Sequence, residues 1–305
     1  MRCKNRCIAF RLKALKGQVV AAYGRLYSVE IEGKIRSCLR RGKKSDVVVG
    51  DIVNIHADVI ESIEPRSSLF YRSDAYREKR IAANLTQIII VLAGVPTFSE
   101  ELLNLCLIAA EDQGLKPLIL LNKADMTEAT QTAARILEPY SRLGYPVLTL
   151  SAKQDISSLL PFLDGEVSVL VGQSGMGKST LINTLIPEAL RETAEISSAL
   201  DSGRHTTTHA RLFHLSPQSH IIDSPGLQEF GLHHLDLDRI AHAFVEFRPY
   251  LGHCKFRNCM HLEEPSCAIT AAFESGLINE KRMAVYRKLA TRLHLPKFRK
   301  GLNDR

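Results

Sequence analysis

The sequence predicts an α/β domain with a mostly parallel sheet, preceded by a small β-barrel and followed by a helical domain. Three observations predict this arrangement. Short strand patterns punctuated by glycine fill residues 17–65, apolar strands alternate with helices over residues 85–223, and a helical pattern begins near residue 236. A chain of 305 residues is also longer than one hydrophobic core usually supports. We therefore predict four segments: a basic arm (1–16), a barrel (17–66), the α/β domain (67–235) and a helical domain with a basic tail (236–305).

Composition excludes several classes of protein. Hydrophobic residues make up 45% and charged residues 24% of the chain, which are ordinary values for a soluble globular protein. No apolar run approaches the ~20 residues that a membrane-spanning helix needs, so we expect no membrane partner. Seven cysteines are an odd number in a long chain, which favours a reducing compartment and a cytoplasmic location over a disulfide scaffold.

Charge is distributed unevenly along the chain. The net charge is +9 over residues 1–80, −10 over residues 81–280 and +8 over residues 281–305. Cationic ends beside an anionic middle favour a polyanionic partner, and solvated surface helices are the alternative. The strand patterns of residues 17–65 fit an OB-type barrel, a fold that binds nucleic acid, and an SH3-like barrel would look similar. A polar, basic connector follows at residues 66–84.

A phosphate-binding loop is the strongest motif of the sequence. The segment GQSGMGKS at residues 172–179 fits G-x-x-x-x-G-K-[ST] between an apolar strand and a helix pattern. Glycines let backbone N–H groups point at phosphate oxygens, and the helix N-terminus adds its positive dipole end. Lys178 would reach the β- and γ-phosphates, and Ser179 would bind Mg²⁺. The predicted phosphate-binding residues are Gly172, Gln173, Ser174, Gly175, Met176, Gly177, Lys178, Ser179 and Thr180.

Two further motifs indicate guanine as the base. The first fits N-K-x-D at the end of an apolar strand and comprises Asn122, Lys123, Ala124 and Asp125. The Asp125 carboxylate can accept hydrogen bonds from N1–H and the 2-amino group of guanine, which adenine lacks, so an adenine nucleotide would leave it unpaired. The second motif is an S-A-K loop after the next strand and comprises Ser151, Ala152 and Lys153. Together with the phosphate loop they predict a GTP site and disfavour an ATPase or a kinase.

Two segments after the phosphate loop resemble the switches of a GTPase. In the D-x-x-G pattern D-S-P-G, Asp223 would hold a Mg²⁺-bound water and the N–H of Gly226 would contact the γ-phosphate. One residue of the threonine run 206–208 should bind Mg²⁺, with Thr207 or Thr208 favoured and a polar loop as the alternative. For the Mg²⁺ ligands we take Ser179 and Thr207, with Thr208 as the alternative to Thr207.

The group that orients the attacking water has no motif of its own. Leu227 stands where a Ras-type GTPase carries the glutamine that performs this task, and leucine has no polar group. His205 is the nearest polar candidate, and a solvated loop histidine is the alternative. The catalytic candidates are Lys178, Ser179 and His205.

The order of these motifs is circularly permuted. In the common GTPase the phosphate loop comes first, whereas here the base-recognition motifs at residues 122–125 and 151–153 precede the phosphate loop at 172–179. The switch segments at 206–208 and 223–226 follow. The same sheet can form from the permuted order, because chain termini often lie close together at the surface. We predict a circularly permuted P-loop GTPase domain.

A cluster of cysteines and histidine predicts a structural zinc site. Cys254, Cys259, His261 and Cys267 have the spacing C-x4-C-x-H-x5-C. Three thiolates and one imidazole complete a tetrahedral Zn²⁺ site without an open catalytic position. His253 is a rival ligand, but its place next to Cys254 makes coordination by both residues awkward.

The permuted motif order, the G-R-H-T-T-T segment, the D-S-P-G loop and the C-x4-C-x-H-x5-C cluster resemble the RsgA (YjeQ) family of bacterial GTPases. The resemblance extends from about residue 17 to the basic tail. It implies an OB-fold, a permuted GTPase domain and a zinc-binding domain. It also implies a GTP hydrolase that binds the small (30S) ribosomal subunit and its 16S rRNA, acts in late maturation, and is stimulated by that subunit.

From the residues and the resemblance together we expect a monomer that binds GTP or GDP with Mg²⁺ and holds one structural Zn²⁺. The alternative is an RNA-binding protein in which GTP is structural and its turnover is incidental.

Overall fold

The structure is a computed structural model that describes residues 15–41, 46–73, 78–187, 210–223, 232 and 235–294. The described strands are β1 (Leu15–Tyr23), β2 (Leu26–Ile31), β3 (Lys34–Arg40), β4 (Ile52–His56), β5 (Val59–Ile63), β6 (Leu69–Ser73), β7 (Glu78–Ala83), β8 (Gln87–Ala93), β9 (Lys116–Asn122), β10 (Val147–Thr149), β11 (Val167–Val171), β12 (Arg211–His214) and β13 (His220–Asp223). The described helices are α1 (Glu100–Gln113), α2 (Thr127–Arg142), α3 (Leu160–Leu163), α4 (Lys178–Leu185), α5 (Leu237–Ala243), α6 (Ala268–Glu274) and α7 (Glu280–His294). None of these helices has the length and apolar character needed to cross a membrane.

Five strands close into a barrel at the N-terminal side. The strands pair in the order β1-β2-β3-β5-β4, and β4 returns to β1. Burial alternates along β2, which places Tyr27, Val29 and Ile31 in a core that also contains Val19 and Ile55. The predicted OB-type barrel is confirmed.

The connector predicted over residues 66–84 contains a β-hairpin formed by β6 and β7. Among the hairpin side chains whose burial is described, Phe70, Ile81 and Ala82 lie in the core of the α/β domain. With basic residues between these positions, the pattern does not alternate clearly enough to indicate strands. The segment predicted as a polar, basic connector therefore contains two strands that the sequence pattern did not indicate.

The α/β domain has the predicted doubly wound order. β10, β9, β8, β11 and β13 are parallel neighbours, and β12 pairs antiparallel with β13. Every residue of β8 is buried, as expected for a strand covered on both faces. Asn122 and Asp223 are the last residues of β9 and β13, and Gly172 directly follows β11. The motifs therefore meet at the carboxyl ends of the parallel strands, where α/β proteins bind ligands.

The barrel and the α/β domain share one continuous sheet. β1 of the barrel pairs antiparallel with β12, so the strand order runs without a break from β10 to the barrel. This joint was not visible in the sequence, since β1 and β12 are far apart in the chain and neither carries a motif.

The C-terminal helices dock on α1 through a buried arginine. Arg282 of α7 is 1% exposed, and its guanidinium donates to both carboxylate oxygens of Glu246 at 2.6 and 2.9 Å. It also donates to Oδ1 of Asn104 in α1 at 2.7 Å and lies 4.4 Å from the centre of the Phe244 ring. A hydrogen bond from Asn104 to the hydroxyl of Tyr140 extends the network to α2.

Ion pairs surround this buried contact. The pairs that join the C-terminal helices to α1 are Lys281–Glu100, Lys288–Glu101, Arg292–Glu101, Arg239–Asp112 and Arg248–Glu111. Part of the positive charge of residues 281–305 is thus paired with carboxylates of the same chain. This portion of the C-terminal charge neutralises the acidic middle of the protein.

Candidate functional site

The phosphate loop joins β11 to α4 in a backbone conformation that favours glycine. Gly172 has φ 150° and Gly177 has φ 93°, both positive values that side chains with a Cβ disfavour. A Cβ at Gly172 would overlap the carbonyl oxygen of Val91, and one at Gly177 would overlap the side-chain nitrogen of Asn122. The two glycines that define the motif are therefore required by the packing of the loop against β8 and β9.

Lys178 begins α4 and turns its ammonium back over the loop. Its Nζ donates to the carbonyl oxygens of Gly172 at 2.6 Å and Gln173 at 2.8 Å. Burial lowers the pKa of Lys178, and the nearby Asp223 carboxylate opposes this shift. A partly buried cation held beside the loop is suited to bind the charged oxygens of a nucleotide phosphate.

Asn122 connects the base-recognition motifs to the phosphate loop. Its side chain is buried, donates to the carbonyl of Met176 at 2.9 Å and accepts from the N–H of Ala152 at 2.9 Å. The carbonyl of Ala152 in turn accepts from the Thr184 hydroxyl of α4 at 2.9 Å. These bonds bring the three predicted motifs together around one site.

Asp125 is exposed and is oriented by the S-A-K loop. The hydroxyl of Ser151 donates to Oδ1 of Asp125 at 2.6 Å. This bond is the main cause of the lowered pKa of Asp125, and the positive charges of Lys153 and Lys123 contribute less. The carboxylate is therefore an anionic acceptor, the state that binding of guanine N1–H and its amino group requires.

The side chain of Gln173 connects the phosphate loop to the beginning of α1. Its Oε1 accepts from the backbone N–H of Ser99 at 2.7 Å, and Ser99 is also the N-cap of α1, where its hydroxyl accepts from the N–H of Leu102. Beside this contact lies a cavity of about 270 Å³. Its lining residues are Pro96, Thr97, Gln173, Ser174 and Met176.

The structure describes only some of the residues of the predicted Mg²⁺ site. Ser179 is exposed in the first turn of α4, and Asp223 ends β13 within electrostatic range of Lys178. A hydroxyl and a carboxylate are hard oxygen donors that suit Mg²⁺. The threonine run with Thr207, the catalytic candidate His205, and Gly226 and Leu227 lie outside the described residues, so their roles stay predictions.

The predicted zinc ligands form one cluster. The ligand atoms of Cys254, Cys259, His261 and Cys267 all lie within 4.8 Å of one another, and among the described residues His253 does not join them. The Sγ atoms of Cys254 and Cys267 are 3.9 Å apart, and Nδ1 of His261 lies 3.5 and 3.4 Å from them. Tetrahedral Zn²⁺ with Zn–S bonds of ~2.3 Å needs sulfur atoms about 3.8 Å apart, so the donor set fits the ion.

Two thiols of the cluster have shifted pKa values. Burial is the main cause that raises the pKa of Cys259 to about 12. Burial acts in the same direction on Cys267, but hydrogen bonds from the N–H of Thr270 and from the neighbouring thiols result in a lowered pKa. Because Zn²⁺ binds cysteine as the thiolate, a structural Zn²⁺ held by these four side chains would displace the protons of the thiols.

Comparison with known families agrees with this geometry. Residues 63–233, which contain the three motifs around the nucleotide site, match the model of the RsgA GTPase family. The chain belongs to this family. It is therefore a GTP hydrolase.

Two curated relatives cover nearly the whole length of this RsgA-family chain. The small ribosomal subunit biogenesis GTPase RsgA of Nitrosomonas europaea is 56% identical over 285 residues, which span 90% of this chain and 91% of the relative. The protein of the same name from Nitrosospira multiformis is 52% identical over 286 residues, which span 92% and 91%.

Solved structures show the same architecture. YjeQ from Thermotoga maritima has a TM-score of 0.71 and 29% identity, covering 92% of this chain and 98% of that one. YloQ, described as a circularly permuted GTPase, has a TM-score of 0.68 and 26% identity, covering 93% and 96%. The predicted circular permutation is confirmed.

Some contacts around the RsgA-type site were not predicted from the sequence. Ser99 and Thr184 contact the motifs from outside them, and the side chain of Gln173 occupies a motif position without a defined residue type. No local signal marks these contacts, because each joins residues more than thirty positions apart in the chain.

Proposed function

We propose that this GTP hydrolase acts in the cytoplasm, as a monomer, in late maturation of the small ribosomal subunit, and that it binds the 30S subunit and its 16S rRNA. The observation that carries the proposal is the 56% identity to a protein named small ribosomal subunit biogenesis GTPase, over 90% of this chain. The motif side chains that would bind GTP support it, because Asn122 holds the three motifs around one site.

Each group of the site has a role in this proposal. Asp125 and the S-A-K loop bind guanine, and Lys178 stabilises negative charge on the β- and γ-phosphates. Ser179, Asp223 and Thr207 would supply oxygen atoms to Mg²⁺ and its water shell. Bound Mg²⁺ would neutralise charge on the phosphate oxygens. His205 is the candidate that orients the attacking water.

The barrel offers a surface that suits RNA. In β3 every residue except Cys38 and Arg40 is exposed, including Lys34, Ile35 and Arg36. Cations next to exposed apolar side chains can contact both the phosphates and the bases of a nucleic acid. The zinc cluster adds a second such point, where Lys255 lies 5.5 Å from the ring centre of the exposed Phe256.

Base specificity is tested by Asp125→Asn. The amide can donate to the 2-oxygen of xanthine but no longer offers guanine two anionic acceptor atoms, so the GTP affinity should fall about 100-fold and the XTP affinity should rise. Nucleotide affinities of the wild type, this variant and the control Asp238→Asn, an exposed residue in α5, measure the effect. Equal binding of ATP and GTP by the wild type would contradict the assignment.

Ribosome dependence is tested by single-turnover GTP hydrolysis with and without 30S subunits. We expect 30S subunits to stimulate GTP hydrolysis by the wild type, and we expect Lys178→Ala to abolish hydrolysis. The variant His205→Ala tests whether this histidine orients the attacking water. If stimulated turnover survives His205→Ala unchanged, this histidine does not orient the water. If 30S subunits bind without changing turnover, the alternative of an RNA-binding protein with incidental hydrolysis is favoured.

Salt dependence tests the RNA contact. Because each phosphate contact releases counterions, the affinity for 30S subunits should fall steeply as salt rises. Truncation after residue 294 removes four basic residues of the tail and keeps α7, whose cations pair with α1. This variant should show a flatter salt slope at unchanged GTP affinity. An unchanged slope would exclude the tail from the contact.

A further inference from the structure

The joint between the barrel and the α/β domain lies beside Asp223, the residue predicted to act at the Mg²⁺ site. Ala21 of β1 is paired with Arg211 of β12, and Arg211 is paired in turn with Asp223 of β13. Neighbouring strands lie about 4.8 Å apart, so the barrel edge is two strand spacings, ~10 Å, from Asp223. β12 is therefore the strand that separates the barrel edge from this residue.

A side-chain relay spans the same joint at the far ends of β12 and β13, three residues or ~10 Å from Arg211 and Asp223. Nε2 of His214 in β12 lies 2.6 Å from Oε2 of Glu30 in the barrel strand β2, and its Nδ1 lies 2.9 Å from Nδ1 of His220 in β13. His214 and His220 are cross-strand partners whose rings meet edge to face with centroids 4.7 Å apart. Burial, and to a smaller extent His214, lowers the pKa of His220, which favours a neutral ring able to accept from His214.

We propose that the relay of Glu30, His214 and His220 is a positioning device that transmits the position of the barrel to the two strands between the predicted switches. β12 follows the threonine run 206–208 in the chain, and β13 ends at Asp223. The inference rests on the proposed function in one respect, because contact with the 30S subunit is what displaces the barrel. Displacement of the relay then acts along the four residues of β12 and β13 on Asp223, which lies at the other end of β13.

The side chains of the relay are only partly buried, as expected for a contact that can separate. The side chain of His214 is 43% exposed and that of Glu30 is 24% exposed. A pair with this exposure contributes little to folding stability, since water and salt screen it. Its removal should change the coupling between the domains while the protein stays folded.

The experiment compares the full-length wild type with His214→Leu and with the control His56→Leu, which changes an exposed barrel histidine outside the joint. The readout is the ratio of 30S-stimulated to intrinsic GTP hydrolysis at saturating subunit. His214→Leu should lower this ratio about fivefold, which corresponds to ~1 kcal/mol of coupling free energy. Intrinsic hydrolysis, GDP affinity and 30S affinity should stay within twofold, and the control should match the wild type.

A charge exchange separates positioning from a general structural effect. Glu30→Arg and His214→Glu should each lower the ratio, and the double variant should restore most of it, because an ion pair between the two introduced side chains would then join the same two positions. A ratio that His214→Leu leaves unchanged, or a double variant no better than either single one, overturns the proposal.

A second readout does not depend on the ribosome. Without 30S subunits, amide hydrogen exchange at residues 211–214 should be about fivefold faster in His214→Leu than in the wild type, and exchange in β9 should be unchanged. If 30S subunits fail to stimulate hydrolysis by the wild type, the proposed function is wrong. The hydrogen exchange of residues 211–214 still tests the relay in that case. Equal exchange rates at residues 211–214 would overturn it.

Discussion

The α/β domain contacts the C-terminal helices and the barrel in different ways. On the C-terminal side a buried network joins Arg282 to Glu246 and Asn104, and ion pairs with α1 surround it. On the barrel side the strands pair at Ala21 and Arg211, and the accompanying contact of Glu30 with His214 is partly exposed. The first joint excludes water from its central charges and the second does not.

This difference indicates how firmly the C-terminal helices and the barrel are attached to the α/β domain. Separating the C-terminal domain from α1 would uncover a buried guanidinium and carboxylate, which costs several kcal/mol. Shifting the barrel would separate the partly exposed pair of Glu30 and His214, whose atoms water can solvate. It would also disturb Val20 and Val49, which are buried in the core of the α/β domain. The C-terminal helices are therefore a fixed part of the GTPase unit, whereas the barrel joint combines buried apolar side chains with a polar pair that an external partner can separate. Four predictions test this contrast.

Removal of zinc should have the largest effect and should stay local. Chelation, or Cys259→Ser, should abolish amide protection over residues 254–267, because structural Zn²⁺ contributes about 10–16 kcal/mol in isolated zinc fingers. Metal analysis should find about one zinc per wild-type chain, and nucleotide affinity should change little. The control Cys106→Ala alters a buried cysteine of α1 and should retain the metal. Protein prepared without chelator that contains no zinc would contradict the assignment.

Arg282→Met should destabilise the fixed joint by about 3–5 kcal/mol, since it leaves the Glu246 carboxylate buried without its partner. Urea unfolding measures the change. The control Lys288→Met removes an exposed partner of Glu101 and should cost less than ~1 kcal/mol. Equal losses in the two variants would mean that the buried network is no stronger than the ion pairs around it.

Asn104→Ala should have an intermediate effect of about 1–3 kcal/mol. It removes the acceptor of one guanidinium N–H of Arg282 and the donor to the Tyr140 hydroxyl, while the pair with Glu246 remains. Asn54→Ala is the control, because its amide bonds lie at the surface of the barrel. If unfolding shows no difference between the two variants, α1 contributes nothing specific to the docking.

Glu30→Gln should have the smallest effect on stability, about 0.5 kcal/mol or less, because the pair with His214 is partly exposed. Differential scanning calorimetry should show a nearly unchanged midpoint. A loss comparable with that of Arg282→Met would place the barrel joint in the same class as the C-terminal joint and remove the contrast.

The sequence predicted the functional side chains of the site better than the contacts that join distant segments of the chain. The phosphate loop, N-K-x-D, S-A-K and the zinc cluster each lie within one short segment, and their spacing depends on local backbone geometry. The permuted order follows directly from their sequence positions. The hairpin of β6 and β7 was missed, because Phe70 and Ile81 are too few apolar positions to define strands.

The sequence by itself determined which side chains offer hydrogen bonds, charge and metal ligands, and in what order they occur. Only the tertiary structure decided how the parts are joined: Gln173 to Ser99, Arg282 to Asn104, and β1 to β12. The physical reason is the range of the interactions. Periodicity and motif spacing report which face of an element is apolar or which turn it forms, whereas docking depends on shape and charge that distant segments present to each other after they fold.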